Sequence, residues 1–259
     1  MKQHHIRFTK RMVNEFHIKW KKFLTEDETF THDKNAGPVR LPFDIYCDMD
    51  GVLVDLVGGI EDSFKTPEYA SIIQDPKNRG AIEKILFSGN EWLEVINNAD
   101  LEPSAQEVLE RMFGEIKKIL NGGHEWWSAL PRAEGAEKLW AFIQPLGAKI
   151  LSAPWGDDLQ GSRLGKLDWL SPLGNNLVPP PKEAIITPDK AKYAINKHTG
   201  QCNVLIDDMD RYLIPWAQAQ ESAINNPESG ATGPTRWIKY TSADETIRQL
   251  REMIEDVQR

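Results

Sequence analysis

The sequence predicts an α/β fold, a parallel sheet flanked by helices. Five short apolar runs have strand length: Phe43 to Cys47, Ala148 to Ser152, Ala184 to Ile186, Asn203 to Asp208 and Trp237 to Tyr240. Helix-spaced apolar patterns separate them. Strands alternating with helices imply right-handed crossovers, which put every polar strand end on one rim, where ligands of such sheets bind.

Before the first strand, Val13, Phe16, Trp20, Phe23 and Leu24 recur at near-helical spacing beside Lys19, Lys21 and Lys22. Residues 1–40 therefore read as one amphipathic helix with a basic face, followed by a linker. Residues 41–55 open the core. Some ninety residues separate the first two strands, too many for a loop in a compact domain. Tyr69 to Ile73, Ile82 to Phe87, Trp92 to Ile96 and Val108 to Leu120 carry helical patterns broken by Pro67, Pro76 and Pro103. Residues 56–146 are thus expected to form a small helical cap over the strand ends, with residues 147–259 completing the core. Glu134 to Leu146 should be a helix stopped by Gly147. Further helices are expected at Leu164 to Leu170, Lys190 to Lys197, Trp216 to Ile224 and Ala243 to Val257.

Composition narrows the function. The chain has 259 residues and a net charge of -8, which disfavours a role in coating nucleic acid, since backbone neutralisation needs a basic surface. No apolar run approaches the roughly 18 residues that cross a bilayer, and Met1 to Arg7 lacks an apolar leader. A cytoplasmic site without membrane contact is the expectation. Cys47 and Cys202 are the only cysteines; set in or beside apolar strands, they read as structural thiols.

The predicted rim collects Asp48, Asp50, Ser152, Lys190, Asp207 and Asp208. Carboxylates two residues apart repel, and a fold accepts them most readily with a cation or a catalytic task between them. By itself, Asp48-Met49-Asp50-Gly51 could equally be a solvated turn. His124-Glu125 lacks a second histidine at helical spacing, so a zinc reading fails.

In this order and spacing the rim resembles the haloacid dehalogenase (HAD) superfamily of aspartate-nucleophile phosphatases. The matching elements are Asp48-Met49-Asp50-Gly51-Val52, the apolar run into Ser152, Lys190, and Asp207-Asp208. Within the superfamily the chain is most similar to the 5'(3')-deoxyribonucleotidases. The shared features are Gly58-Gly59, Trp126-Trp127 leading through Leu130-Pro131 to Gly135-Ala136, Ser152 with Pro154, Lys166 with Trp169, Thr187 to Lys190, and Leu205-Ile206-Asp207-Asp208. The likeness spans residues 43–210.

The resemblance implies a Rossmann-like core and an Mg2+-dependent phosphomonoesterase acting on nucleoside monophosphates, with deoxyribonucleotides preferred. Asp48 would be the nucleophile, Asp50 the acid and base, Ser152 a donor to a phosphoryl oxygen, and Lys190 the neutralising cation. Mg2+ would be held by Asp48, Asp50 through its backbone carbonyl, and one or both of Asp207 and Asp208. Lys166, Ala153, Trp126 and Trp155 are the candidate substrate contacts, with Trp92 and Trp127 as further stacking candidates. Lys166 competes with Lys190 for the cation role; the resemblance implies a second, phosphate-binding lysine at Lys166, with a surface helix lysine as the alternative.

Two departures leave the base preference open: Leu56-Val57 stand where the family has an aromatic residue, and Ala153 where it has a second hydroxyl. Three alternatives remain: a sugar phosphate substrate, a nucleic-acid end phosphate, and a non-catalytic binding protein with this fold. The expected partner is a small phosphomonoester, and a homodimer stays open.

Overall fold

The chain divides into two units, Met1–Val39 and Arg40–Arg259. A computed structural model describes residues 41–64, 114–155, 159–174 and 176–258, all in the second unit. The expected N-terminal helix and the cap helices between Tyr69 and Ile96 lie outside the described residues.

Five strands form one parallel sheet: β1 (Ile45–Cys47), β2 (Lys149–Ser152), β3 (Ala184–Ile186), β4 (Val204–Asp207) and β5 (Trp237–Lys239), in the order β3-β2-β1-β4-β5. All five predicted strands are present, four trimmed to the residues that pair and the third with its predicted bounds. The order reverses direction at β1, and the crevice beside such a switch point is where α/β sheets bind ligands.

Burial explains why the central strands carry apolar side chains at consecutive positions, whereas in the edge strand β5 only Ile238 is buried. Ile45, Cys47, Ile150, Val204 and Ile206 enter the core on one face of the sheet. Tyr46, Leu151 and Leu205 alternate with them and enter the core on the other. Sheets covered on both faces need apolar side chains at consecutive positions.

The described helices are α1 (Leu56–Phe64), α2 (Gly123–Ser128), α3 (Ala136–Ile143), α4 (Leu159–Leu170), α5 (Asp210–Ile224) and α6 (Ala243–Gln258). Residues 114–120 are also helical. Leu139, Trp140, Ile143, Trp169, Leu250 and Ile254 cover the first face, while Leu213 and Trp216 cover the second. Four buried tryptophans each donate the indole N–H to a backbone carbonyl: Trp127 to Leu120, Trp140 to Pro179, Trp169 to Leu130 and Trp216 to Arg236. A buried indole thus adds apolar area without an orphaned donor.

Several predicted boundaries need correction. Glu134 to Leu146 is α3 followed by a 3-10 turn, Gln144–Leu146, with Pro145 inside the turn. Gly147 does end it, at φ 82°. Helix α4 begins at Leu159, before the predicted Leu164, and its Gly165 is a packing residue. A Cβ on Gly165 would stand 2.4 Å from the Trp127 Cβ and 2.6 Å from the His124 carbonyl, so glycine lets α2 and α4 touch. Helix α5 begins at Asp210, ahead of the predicted Trp216, and runs through Pro215. Lys190 to Lys197, expected to be a helix, is only a 3-10 turn, Lys190–Tyr193. The Ile195↔Cys202 bridge draws the following chain back.

Among the described residues, no helix is long and apolar enough to cross a membrane.

Candidate active site

The loop after β1 is built to hold two carboxylates apart. Leu53 and Val54 donate their N–H groups back to the Met49 carbonyl at 2.9 and 2.8 Å, and Gly51 N–H reaches the Val54 carbonyl at 2.9 Å. Met49, Val52, Leu53 and Val54 are fully buried beneath it. Gly51 has φ 73°, a left-handed conformation that glycine adopts without strain. Its missing side chain also makes room: a Cβ there would stand 2.1 Å from Asp208 Oδ2. Asp55 closes the loop by accepting the Gly58 N–H at 2.8 Å, the N-cap of α1.

Asp48 and Asp50, both nearly buried, face different lysines. Lys190 Nζ lies 2.8 Å from Asp48 Oδ1 and 2.6 Å from Asp207 Oδ2. The first contact is close but poorly aligned, so Asp48 Oδ1 has no hydrogen-bond donor among the described residues. Lys166 Nζ lies 2.5 Å from Asp50 Oδ2 and donates to Ser152 Oγ at 3.2 Å and the Ala153 carbonyl at 2.5 Å. Its ammonium also lies 4.9 Å from the Trp127 ring centre. Far from being a surface residue, Lys166 is 0% exposed. Helix α4 supplies Lys166, and the turn after β3 supplies Lys190.

The third carboxylate group ends β4. Asp207 Oδ1 accepts the Met209 N–H at 2.9 Å and Oδ2 accepts from Lys190, so both its oxygens have donors. Asp208 follows in the loop, and no hydrogen bond reaches its carboxylate among the described residues. Oxygens of Asp48, Asp207 and Asp208 lie within 4.8 Å of one another.

Charge crowding shifts the pKa values. Burial, then the Asp48 charge, pushes Asp207 up to about 7. Burial, then Asp48 and Asp207, pushes Asp208 up to about 8. Asp50 is also raised, by burial, with Lys166 pulling in the opposite direction. Burial disfavours the charged form of Lys190, but Asp48 and Asp207 outweigh it and the pKa rises.

The donor set suits Mg2+, which takes oxygen ligands. The buried Asp48 Oδ1 without an aligned donor and the unbonded Asp208 carboxylate are the natural ligands. Asp207, committed to Lys190 and Met209, orients the group. The Asp50 side chain belongs to Lys166, leaving its backbone carbonyl as the only ligand the sequence reading asked of it.

Beside the rim opens a cleft of about 1160 Å³ lined by Asp50, Asp208, Val57, Trp155, Arg211 and Tyr240, among others. Of the predicted substrate contacts, Trp155 lines it. Trp126 does not; its indole N–H bonds Ser63 Oγ at 2.9 Å and its ring meets Trp127 edge-on. Ala153 is buried and contributes its carbonyl to Lys166. Trp127 is wholly buried, a core residue; Trp92 lies outside the described residues. His124, discounted as a metal ligand, pairs with Asp168 at 2.6 Å on the surface. Sequence reasoning missed Arg211 and Tyr212. Their one signal was position, directly after the paired aspartates at the start of a helix.

The fold and rim define an α/β protein with a carboxylate and lysine site at the strand ends. No family model matches the chain, and no curated protein matches it in sequence. Among solved structures it is similar to an L-2-haloacid dehalogenase from Xanthobacter autotrophicus, at 12% identity and TM-score 0.39, covering 81% of this chain and 98% of that one. A hydrolase from Streptococcus pneumoniae is similar at 14% identity and TM-score 0.40, covering 82% and 100%. A dehalogenase with an intermediate complex follows at 12% and 0.34, covering 80% and 96%. Likeness at this level adds nothing to what the sheet order and rim geometry already establish.

Proposed function

We propose that this protein is a HAD-type phosphomonoesterase that uses Mg2+ and hydrolyses nucleoside monophosphates, deoxyribonucleotides in preference, through an aspartyl phosphate on Asp48. The observation that carries the reading is the division of labour on one loop: Asp48 pairs with Lys190, while Asp50, two residues later, pairs with Lys166. Two carboxylates held against separate cations can do separate jobs. Asp48 attacks phosphorus, and the phosphorus–oxygen bond to the leaving group breaks. Asp50, with its raised pKa, gives its proton to the departing alkoxide and takes one back from the water that then cleaves the acyl phosphate.

Ser152 Oγ accepts from Lys166 and keeps its own O–H to donate to a phosphoryl oxygen, and Lys190 holds Asp48 in place while offsetting its charge. A bound Mg2+ would neutralise the three crowded carboxylates and orient the incoming dianion. The open cleft beside Asp50 has room for a leaving group of nucleoside size.

Steady-state hydrolysis of a panel of deoxynucleoside, ribonucleoside and sugar monophosphates, with Mg2+ and with EDTA, tests this. Deoxynucleotides should turn over fastest and EDTA should abolish it. Equal or greater turnover of sugar phosphates sinks the nucleotide assignment, and absence of any turnover sinks the phosphatase reading.

A further inference from the structure

Arg211, in the first turn of α5, belongs to neither lysine–carboxylate pair. Its guanidinium carbon lies 4.7 Å from the ring centre of Trp155 and 4.8 Å from that of Tyr212. Lys190 Nζ lies 4.1 Å from the same Tyr212 ring, so one aromatic ring serves both cations. Arg211 Nε is buried without a hydrogen-bond partner, and no carboxylate pairs with the guanidinium among the described residues. A buried donor left unmade is costly unless something else supplies the acceptor.

The neighbouring cations of the cleft are already neutralised, Lys138 by Asp244 and Lys239 by Asp210. Arg211 is not. It opens on the same cleft as Asp50, Asp208 and Trp155, yet it forms no ion pair with any rim carboxylate. The cleft it opens on is the one with room for a leaving group of nucleoside size.

Building on the phosphomonoesterase reading, we propose that Arg211 determines specificity by binding two in-plane acceptor atoms on the substrate's leaving group, with Trp155 and Tyr212 fixing the guanidinium plane. Stacking holds the planar fork in one orientation, which suits bidentate contact. Acceptor pairs of this geometry occur on a carboxylate, on a second phosphate, and on the O6 and N7 edge of guanine.

The test compares the full chain with its R211M and R211K variants, in Mg2+, on dGMP, 7-deaza-dGMP, dAMP, 3-phosphoglycerate and phenyl phosphate. Phenyl phosphate offers no acceptor beyond the transferred group. R211M should lower kcat/KM on the preferred acceptor-bearing substrate at least about tenfold more than on phenyl phosphate, chiefly through KM, and R211K should recover little. A loss on dGMP that 7-deaza-dGMP reproduces in the unmutated protein assigns the guanine edge. A loss confined to 3-phosphoglycerate assigns an oxyanion, keeps the role of Arg211 and overturns the nucleotide reading. Equal losses on phenyl phosphate overturn the proposal by placing Arg211 on the transferred phosphoryl group, and no selective loss overturns it outright. Failure of the parent reading is separately visible, since the unmutated protein would then hydrolyse nothing in the panel, and this inference would fall with it.

Discussion

The two halves of the rim carry the same residue types and different charge balances. On the β1–β4 side, Asp48, Asp207 and Asp208 share one ammonium, that of Lys190, and two of the three carboxyls are pushed far above their ordinary range. On the β2 side, Lys166 faces one carboxylate, Asp50, and fills its remaining donors with the Ser152 hydroxyl and the Ala153 carbonyl. The first half is short of positive charge and suits a metal cation. The second is balanced and suits proton transfer and contact with phosphoryl oxygens.

The largest expected effect tests whether Asp48 belongs to the reacting half at all. Asp48→Asn keeps the shape of the side chain and removes the nucleophile, so turnover should fall by on the order of 10⁴-fold or more, with circular dichroism unchanged. Undiminished hydrolysis would remove the aspartyl phosphate from the mechanism.

Removing each lysine sharpens the contrast. Truncating one partner of a buried ion pair costs about 3–5 kcal/mol because the other charge is left unpaired. Lys190→Met strands Asp48 and Asp207 together, whereas Lys166→Met strands Asp50 alone. Denaturant titrations should show the greater loss for Lys190→Met, and Mg2+ should recover part of it there and little for Lys166→Met. Equal losses with equal recovery would erase the distinction between the halves.

pH probes the acid-rich half directly. The folded protein holds protons on Asp207 and Asp208 up to about pH 7 and about pH 8, while the unfolded chain releases them near 3.8. Because the folded pKa values are raised, the associated stability is fully present below the unfolded value and is lost as pH rises through the folded ones. The Tm of EDTA-treated protein should therefore fall from about pH 4 to about pH 8. Mg2+ should raise Tm most at the upper end, and Asp208→Asn should remove much of that gain. A metal effect independent of pH would mean that the crowded carboxylates are not its site.

The smallest effect concerns the loop that joins the halves. Gly51→Ala meets a left-handed φ and the Asp208 carboxylate at once, and should cost about 1–3 kcal/mol. Mg2+ affinity, measured by calorimetry, should weaken with it, since Asp208 must move. A variant with normal metal affinity would show that Asp208 is not held where the metal reading needs it.

Much of this arrangement was legible beforehand. The central strands follow from continuous apolar runs, because a sheet covered on both faces there leaves few polar positions to blur the pattern. The placement of Asp48, Asp50, Ser152, Lys190 and Asp207 on one rim follows from parallel topology alone. Helix boundaries were less legible. Helix α4 begins at Leu159, in a stretch read as loop up to Gly161, and α5 begins at Asp210, ahead of the predicted Trp216. Within α4, Gly165 lets Trp127 approach, a contact from another helix that local propensity does not record.

The sequence by itself determined the sheet, the rim and the identity of its charged groups, since these depend on local hydrophobicity and on the handedness of crossovers. Only the tertiary structure decided how those groups pair. It buried Lys166, which sequence left torn between surface and site, and gave it to Asp50; it gave Lys190 to Asp48 and Asp207, leaving Asp208 without a donor. It also withdrew Trp126 from the cleft and put Arg211 into it. The physical reason is that pairing among buried charges depends on distances of a few ångströms between residues more than a hundred positions apart, such as Lys166 and Asp50, and no spacing along the chain encodes those distances.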